Sequence, residues 1–201
     1  VPTILEHGSP EQIDQFVPAT LRGDLAWCQL FSEPGAGSDL AALRMKAVRA
    51  GGPNGEPGWK LTGQKVWTSA AQKAHWGVCL ARTDADAPKH KGITYFLIDM
   101  KTPGIVIRPL REITGDELFN EVFFDDATTD AALIVGESGD GWRVAMGLLQ
   151  FERGVSTLGQ QVGFARVITD YACFAYLCDV IVWPDRRGAG IGKKLIQALL
   201  D

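Results

Sequence analysis

The chain has little of the chemistry that marks metal or redox sites. It holds only four cysteines, three histidines and three tyrosines in 201 residues. Cys28, Cys79, Cys173 and Cys178 show no metal or redox spacing, and each has strand-like or apolar neighbours. They read as reduced, buried, structural thiols. His7, His75 and His90 are scattered and form no ligand cluster, so no metal site is expected. There is no excess of positive charge. Twenty Lys and Arg stand against 24 Asp and Glu, and a net charge of −4 gives no footprint for nucleic acid. No apolar run is long enough to cross a bilayer. The segment Val1-Pro2-Thr3-Ile4-Leu5-Glu6-His7 lacks the basic head and apolar core of a signal peptide. No Met opens the chain, which points to an excerpt or a processed chain. No internal repeat or low-complexity tract is present. What remains is an ordinary soluble globular composition, long enough for one to two domains with a real core.

Ser9-Pro10-Glu11-Gln12 opens a helix well. Ser9 can cap, Pro10 suits the first turn and Gln12 can complete a capping box. Ile13, Phe16 and Val17 share a face, and Pro18 is expected to bend or end the helix. Residues 26–132 then read as strands. Candidates are 43–50, 59–69, 75–82, 93–99, 105–111 and 118–124, with an Asn54-Gly55 hairpin signal and a polar loop at 83–91. Their even spacing predicts an antiparallel barrel or sandwich. Gly139-Asp140-Gly141 begins a helical stretch in which Trp142, Ala145, Met146, Leu149, Arg153, Ser156 and Gln160 recur at helical spacing.

Two segments carry candidate chemistry. In Cys28-Gln29-Leu30-Phe31-Ser32-Glu33-Pro34-Gly35-Ala36-Gly37-Ser38-Asp39, Pro34-Gly35 is a turn signal after an apolar strand. Gly35, Ala36 and Gly37 leave backbone N–H groups bare for an anion. Ser38 adds a hydroxyl, and Asp39 can order the loop. In Lys65-Val66-Trp67-Thr68-Ser69, a strand places Trp67 and Ser69 on one face. A π-surface beside a hydroxyl suits a flat heterocycle with a hydrogen-bonding edge. The plain alternatives are a surface turn and a core aromatic.

These segments resemble the flavin-facing wall of the acyl-CoA dehydrogenase family. The likeness runs over residues 1–164. It includes Gly63-Gln64-Lys65-Val66-Trp67, Pro103-Gly104-Ile105, Val122-Phe123-Phe124-Asp125-Asp126 and Gly139-Asp140-Gly141-Trp142. The resemblance implies FAD as cofactor and an acyl-CoA thioester as substrate. Residues Gln29 to Ser38 would follow the flavin edge and its phosphates, with Ser38 also facing the acyl-CoA. Trp67, Thr68 and Ser69 would lie at the isoalloxazine, with the Ser69 hydroxyl near the reactive nitrogen. Glu152 stands where a minority of the family carries the catalytic base, and Arg153 where a residue reaches cofactor phosphates of a neighbouring subunit. The position three before Arg153, often an Asp touching substrate, is Gln150. The likeness further implies a homo-oligomer, an electron-transfer flavoprotein or other acceptor, and a cytoplasmic or, in a eukaryote, mitochondrial-matrix location.

The pattern changes around residues 163–166. The apolar run 176–182 leads into Trp183-Pro184-Asp185-Arg186-Arg187-Gly188-Ala189-Gly190-Ile191-Gly192-Lys193, and residues 191–200 suit a helix. Bare glycine N–H groups, a helix N-terminus and Arg187 make a phosphate cradle. A plain strand-to-helix turn is the alternative. Residues 166–201 resemble a fragment of the GNAT N-acetyltransferases, about a quarter of that fold. Val180, Ile181 and Val182 would then meet the pantetheine of acetyl-CoA. Arg187, Gly188, Ala189, Gly190, Ile191, Gly192 and Lys193 would meet its diphosphate. The usual partner strands of residues 176–182 are expected to be missing.

The expected fold is α+β. Residues 1–25 end an N-terminal helical domain and 26–135 form the β-domain. Residues 138–164 form the first helix of a C-terminal helical domain, and 166–201 a truncated α/β strand–turn–helix tail. The function classes open to it are acyl-CoA dehydrogenase, acetyltransferase fragment and non-catalytic acyl-CoA or flavin-binding module.

Overall fold

The computed structural model describes residues 1–152, 163–169 and 175–182. The chain divides into two compact units, Val1–Leu148 and Leu149–Asp201.

The first unit opens with α1 (Pro2–His7) and α2 (Pro10–Leu21). The capping box forms as the sequence predicts. Ser9 Oγ accepts from the Gln12 N–H, and Gln12 Oε1 accepts from the Ser9 N–H, both at 3.2 Å. Phe16 and Val17 are buried, and so is Gln12, whose amide donates to the carbonyls of Ala132 and Ile134 at 2.7 Å. Pro18 does not end the helix, which continues to Leu21. The carbonyl that Pro18 leaves without a donor belongs to Asp14, which is exposed.

Seven strands follow: β1 (Trp27–Leu30), β2 (Lys46–Gly51), β3 (Pro57–Ser69), β4 (Trp76–Arg82), β5 (Ile93–Asp99), β6 (Ile105–Leu110) and β7 (Phe119–Asp130). They make one sheet in the order β1-β4-β2-β3-β7-β6, with β5 on the other edge of β4. The α+β expectation holds, but the strand directions are mixed. β1 runs parallel to β4, and β2 meets β4 in parallel at Lys46–Arg82. The β2–β3 hairpin lies between β1 and β4 in sequence and supplies the long connection that a parallel pair needs. The other pairs are antiparallel.

Alternate residues of these strands build the core. Leu30, Met45, Leu61, Cys79, Phe96, Ile98, Val122 and Phe124 meet within it. β5 is buried from Ile93 to Ile98, because a second layer covers its other face. There α3 (Gly141–Glu152) begins, with Val144 and Ala145 fully buried. β7 is longer than its sequence pattern predicts. Asp125-Asp126 forms a bulge, two residues opposite Thr62 alone. Asp126, at φ +55°, is held by Thr62 Oγ1 at 2.7 Å and Lys60 Nζ at 3.0 Å.

In the second unit, β8 (Gly163–Thr169) pairs antiparallel with β9 (Ala175–Val182). This corrects two expectations. Gly163 and Phe164 are strand, not the end of a helix, and the apolar run at 176–182 has a partner. β-Branched and aromatic residues in Gly163-Phe164-Ala165-Arg166-Val167-Ile168-Thr169 favour that pairing.

Candidate functional site

The two motif segments meet at the end of β1. Glu33 and Ala36 exchange both backbone hydrogen bonds, at 2.9 and 3.0 Å, so Pro34-Gly35 is the tip of a tight turn. The Ala36 N–H is therefore not bare, contrary to expectation, because it donates to the Glu33 carbonyl. Gly35 and Gly37 are exposed with open space around them. Ser38 and Asp39 are also exposed, and the Asp39 carboxylate accepts from Lys89 Nζ at 2.9 and 3.1 Å.

Glu33 is buried. Its carboxylate accepts from the Arg44 N–H at 2.6 Å, the Met45 N–H at 3.0 Å and Lys65 Nζ at 2.9 Å. Lys65 is wholly buried and also donates to the Phe31 carbonyl at 3.1 Å. The Val66 N–H donates to the Ser32 carbonyl at 2.9 Å. Residues 31–33 are thus tied to residues 65 and 66 by three hydrogen bonds.

Beyond Val66 the β3–β7 ladder slips between Lys65 and Thr68. Trp67 sits in that slip at φ +59° with its indole 61% exposed, so it is not a core aromatic. A left-handed backbone costs about 1–2 kcal/mol for a residue with a Cβ, and such strain concentrates at functional sites. Trp67 meets Phe119 edge-on, with ring centroids 6.0 Å apart. Thr68 turns inward and is buried, its carbonyl accepting from Asn120 Nδ2 at 2.9 Å. Leu30 is buried as well. Both offer a ligand backbone atoms only.

Gln29, Phe31, Ser32, Val66, Trp67 and Ser69 line a cleft of about 370 Å³. Cys28 is at its floor, with Sγ 3.7 Å from Met100 Sδ. Burial pushes the thiols of Cys28 and Cys79 up to about 12, so neither is a nucleophile near neutral pH. A second hollow of about 350 Å³ lies around Pro34, Gly35, Arg44 and Gln64. A third hollow, about 1150 Å³, is lined by His7, Gln12, Arg49 and Arg143 among others. Arg143 there is already paired with Asp140, and no residue of the segments 28–39 and 65–69 reaches it. The cleft is therefore the stronger candidate. An exposed indole beside the Ser69 hydroxyl and the Gln29 amide fits a flat, hydrogen-bonding ring such as a flavin.

Gln150 and Glu152 lie in the last turn of α3. Arg153 and Arg187 to Lys193 lie outside the described residues. Val180, Ile181 and Val182 end β9. Sequence reasoning missed Asn120 and the pairing of Lys65 with Glu33. Strand periodicity held one signal: Lys65 is in phase with the core residue Leu61.

Residues 28–127 match the family described as "Acyl-CoA dehydrogenase, middle domain". These residues are an acyl-CoA dehydrogenase middle domain. The chain is 69% identical over 162 residues to acyl-CoA dehydrogenase FadE34 of Mycobacterium tuberculosis, covering 81% of this chain and 22% of that protein. It is 52% identical over 170 residues to acyl-CoA dehydrogenase IpdE1 of Mycolicibacterium smegmatis, covering 82% and 43%. The chain thus spans well under half the length of these curated relatives. The crystal structure of an acyl-CoA dehydrogenase from Geobacillus kaustophilus superposes with a TM-score of 0.69 at 34% identity, covering 76% of this chain and 40% of that one. Residues 149–201 match a separate family described as "Acetyltransferase (GNAT) domain". In the middle domain, the cleft residues come from both acyl-CoA dehydrogenase motifs. Among the described residues, no helix is long and apolar enough to cross a membrane.

Proposed function

We propose that the chain carries the cofactor wall of an FAD-dependent acyl-CoA dehydrogenase, which converts an acyl-CoA thioester to its 2,3-enoyl form. The observation that carries this reading is the presentation of Trp67. A large apolar side chain is held in solvent by a strained backbone, next to Ser69, in a cleft built from both motifs. In this reading the indole covers a ring face and excludes water from it. The Ser69 hydroxyl and Gln29 supply hydrogen bonds at its edge, and the exposed Gly35–Gly37 backbone with Ser38 meets phosphate and thioester groups. A flavin held there would supply the acceptor for the β-hydride as the α-proton leaves. Glu152 is the proposed base that takes this proton, which requires its carboxylate within about 3 Å of the α-carbon's hydrogen. Arg153 is proposed as a phosphate contact in a homo-oligomer, and an electron-transfer flavoprotein as acceptor. A cytoplasmic location belongs to the same reading.

Titration of the purified chain with FAD, followed by flavin absorbance and fluorescence, tests it. A saturable spectral change supports the reading, and its absence overturns it. Where turnover is found, Glu152→Gln keeps shape and removes basicity, so unchanged turnover dismisses Glu152 as base.

The GNAT match over residues 149–201 supports a second reading for the tail, a partial acetyl-CoA-binding segment. Strand β9 and the Arg187-x-x-Gly190-x-Gly192 pattern are its basis. Calorimetric titration with acetyl-CoA tests it. Weak, salt-sensitive heat that Gly190→Pro abolishes is the expected result.

A further inference from the structure

We infer that Lys65 and Glu33 are positioning residues that hold the cleft in its ligand-ready shape. The inference rests on the flavin reading above for the identity of the ligand, and on this structure alone for the clamp. A lysine that is fully buried in a strand is rare, and its ammonium needs paired acceptors to remain charged. Here both partners lie on the segment that lines the cleft, Phe31 through its carbonyl and Glu33 through its carboxylate. Glu33 in turn caps two backbone N–H groups, of Arg44 and Met45, where the chain enters β2. The pair therefore joins three stretches at one point. Val66 adds its bond to Ser32, and the next residue is Trp67. Lys65 is the last residue in register with β7 before the slip that turns the indole outward. Two cleft walls, Phe31-Ser32 and Val66-Trp67, share this anchor. Neither charged side chain is among the residues lining the Trp67 cleft. Both act through the residues that do.

Hydrogen exchange and FAD titration on the full chain test the clamp together. The variants are Lys65→Met and the double variant E33Q/K65M, which leaves no unpaired buried charge. Leu97→Ala, in β5 and not among the residues lining the cleft, serves as a control of comparable lost stability. The expected result is an exchange rate for the Val66 amide raised by about tenfold or more, with Tyr95 and Leu97 amides little changed. FAD affinity should fall by about tenfold or more in both clamp variants, and by less than about threefold in Leu97→Ala. If Lys65→Met does not fold, the double variant decides by the same readings. Unchanged Val66 exchange in a folded clamp variant overturns the inference. So does a loss of FAD affinity in Leu97→Ala equal to that in the clamp variants, since stability alone would then explain it. The expected exchange contrast in a protein that binds no FAD supports the clamp and counts against the flavin reading alone.

Discussion

Asn120 Nδ2 donates to the carbonyl of Thr68 at 2.9 Å, inside the slip in the β3–β7 ladder that turns Trp67 outward. Asn120 is fully buried, and no other side chain bonds that carbonyl among the hydrogen bonds of the described residues. The bond holds the inward half of the irregularity while the indole occupies the outward half. Replacing Asn120 with Ala removes a buried hydrogen bond and leaves a small cavity. The expected loss is about 1–3 kcal/mol, measured by urea unfolding followed by circular dichroism. An unchanged unfolding midpoint would mean that the slip is held without Asn120.

Trp67→Gly separates folding from binding. Glycine relieves the left-handed strain at φ +59° but loosens the unfolded chain and removes the edge contact with Phe119. These terms oppose each other, and the exposed indole contributes little burial. Stability should change by less than about 1 kcal/mol in either direction, while FAD affinity falls by about tenfold or more, equal to about 1.4 kcal/mol. Thermal melting and flavin titration of the same variant check both halves.

Cys28 and Cys79 should resist alkylation in the folded chain and react in urea. Peptide mapping after iodoacetamide treatment near pH 8 reads both positions. The same burial predicts a pH dependence. Each thiol has an ordinary value of 9.0 and is pushed up to about 12 by desolvation in the fold. Above pH 9 the unfolded chain loses these protons while the folded chain keeps them. Their stabilising contribution is thus complete below pH 9 and declines as pH rises toward 12, by about 1.4 kcal/mol per thiol per pH unit. Urea midpoints at pH 8 and pH 10 measure the decline. Cys79→Ala should flatten it.

Gly141→Ala weighs helix propensity against packing. Alanine favours the helix by about 1 kcal/mol, but its Cβ would stand 2.5–2.7 Å from the backbone of Thr94 and Tyr95. Backbone of the buried strand β5 cannot yield as a flexible side-chain tip can. The clash should win and lower stability by about 1–3 kcal/mol, seen as a reduced melting temperature. A stabilised variant would mean that α3 does not press on β5 as described.

The local features were the legible ones. The Ser9–Gln12 capping box, the span of β5 and the two motif segments follow from residues close together in the chain. The misreadings involve partners far apart. Parallel pairing of β1 with β4 depends on a contact across some fifty residues, and no local pattern announces it. The slip at Trp67 breaks the two-residue period that sequence reading assumes, because Asn120 on β7 and the Phe31–Glu33 segment, through Lys65, hold it. The strand candidate at 118–124 stops short of the bulge at Asp125-Asp126, which Lys60 and Thr62 on the facing strand hold within β7. β8 was hidden because Gly163 follows a helical periodicity, and only its pairing with β9 identifies it as strand.

FAD titration of wild-type chain beside Trp67→Gly tests the central claim most directly. In the proposed reading Gly35–Gly37, Ser69 and the indole supply one wall of the cofactor site, so the predicted affinity is modest, about −4 to −8 kcal/mol or millimolar to micromolar. The account predicts a saturable change in flavin fluorescence for wild type and a markedly weaker one for the variant. No saturable change at millimolar FAD, or equal affinity in both proteins, would contradict it.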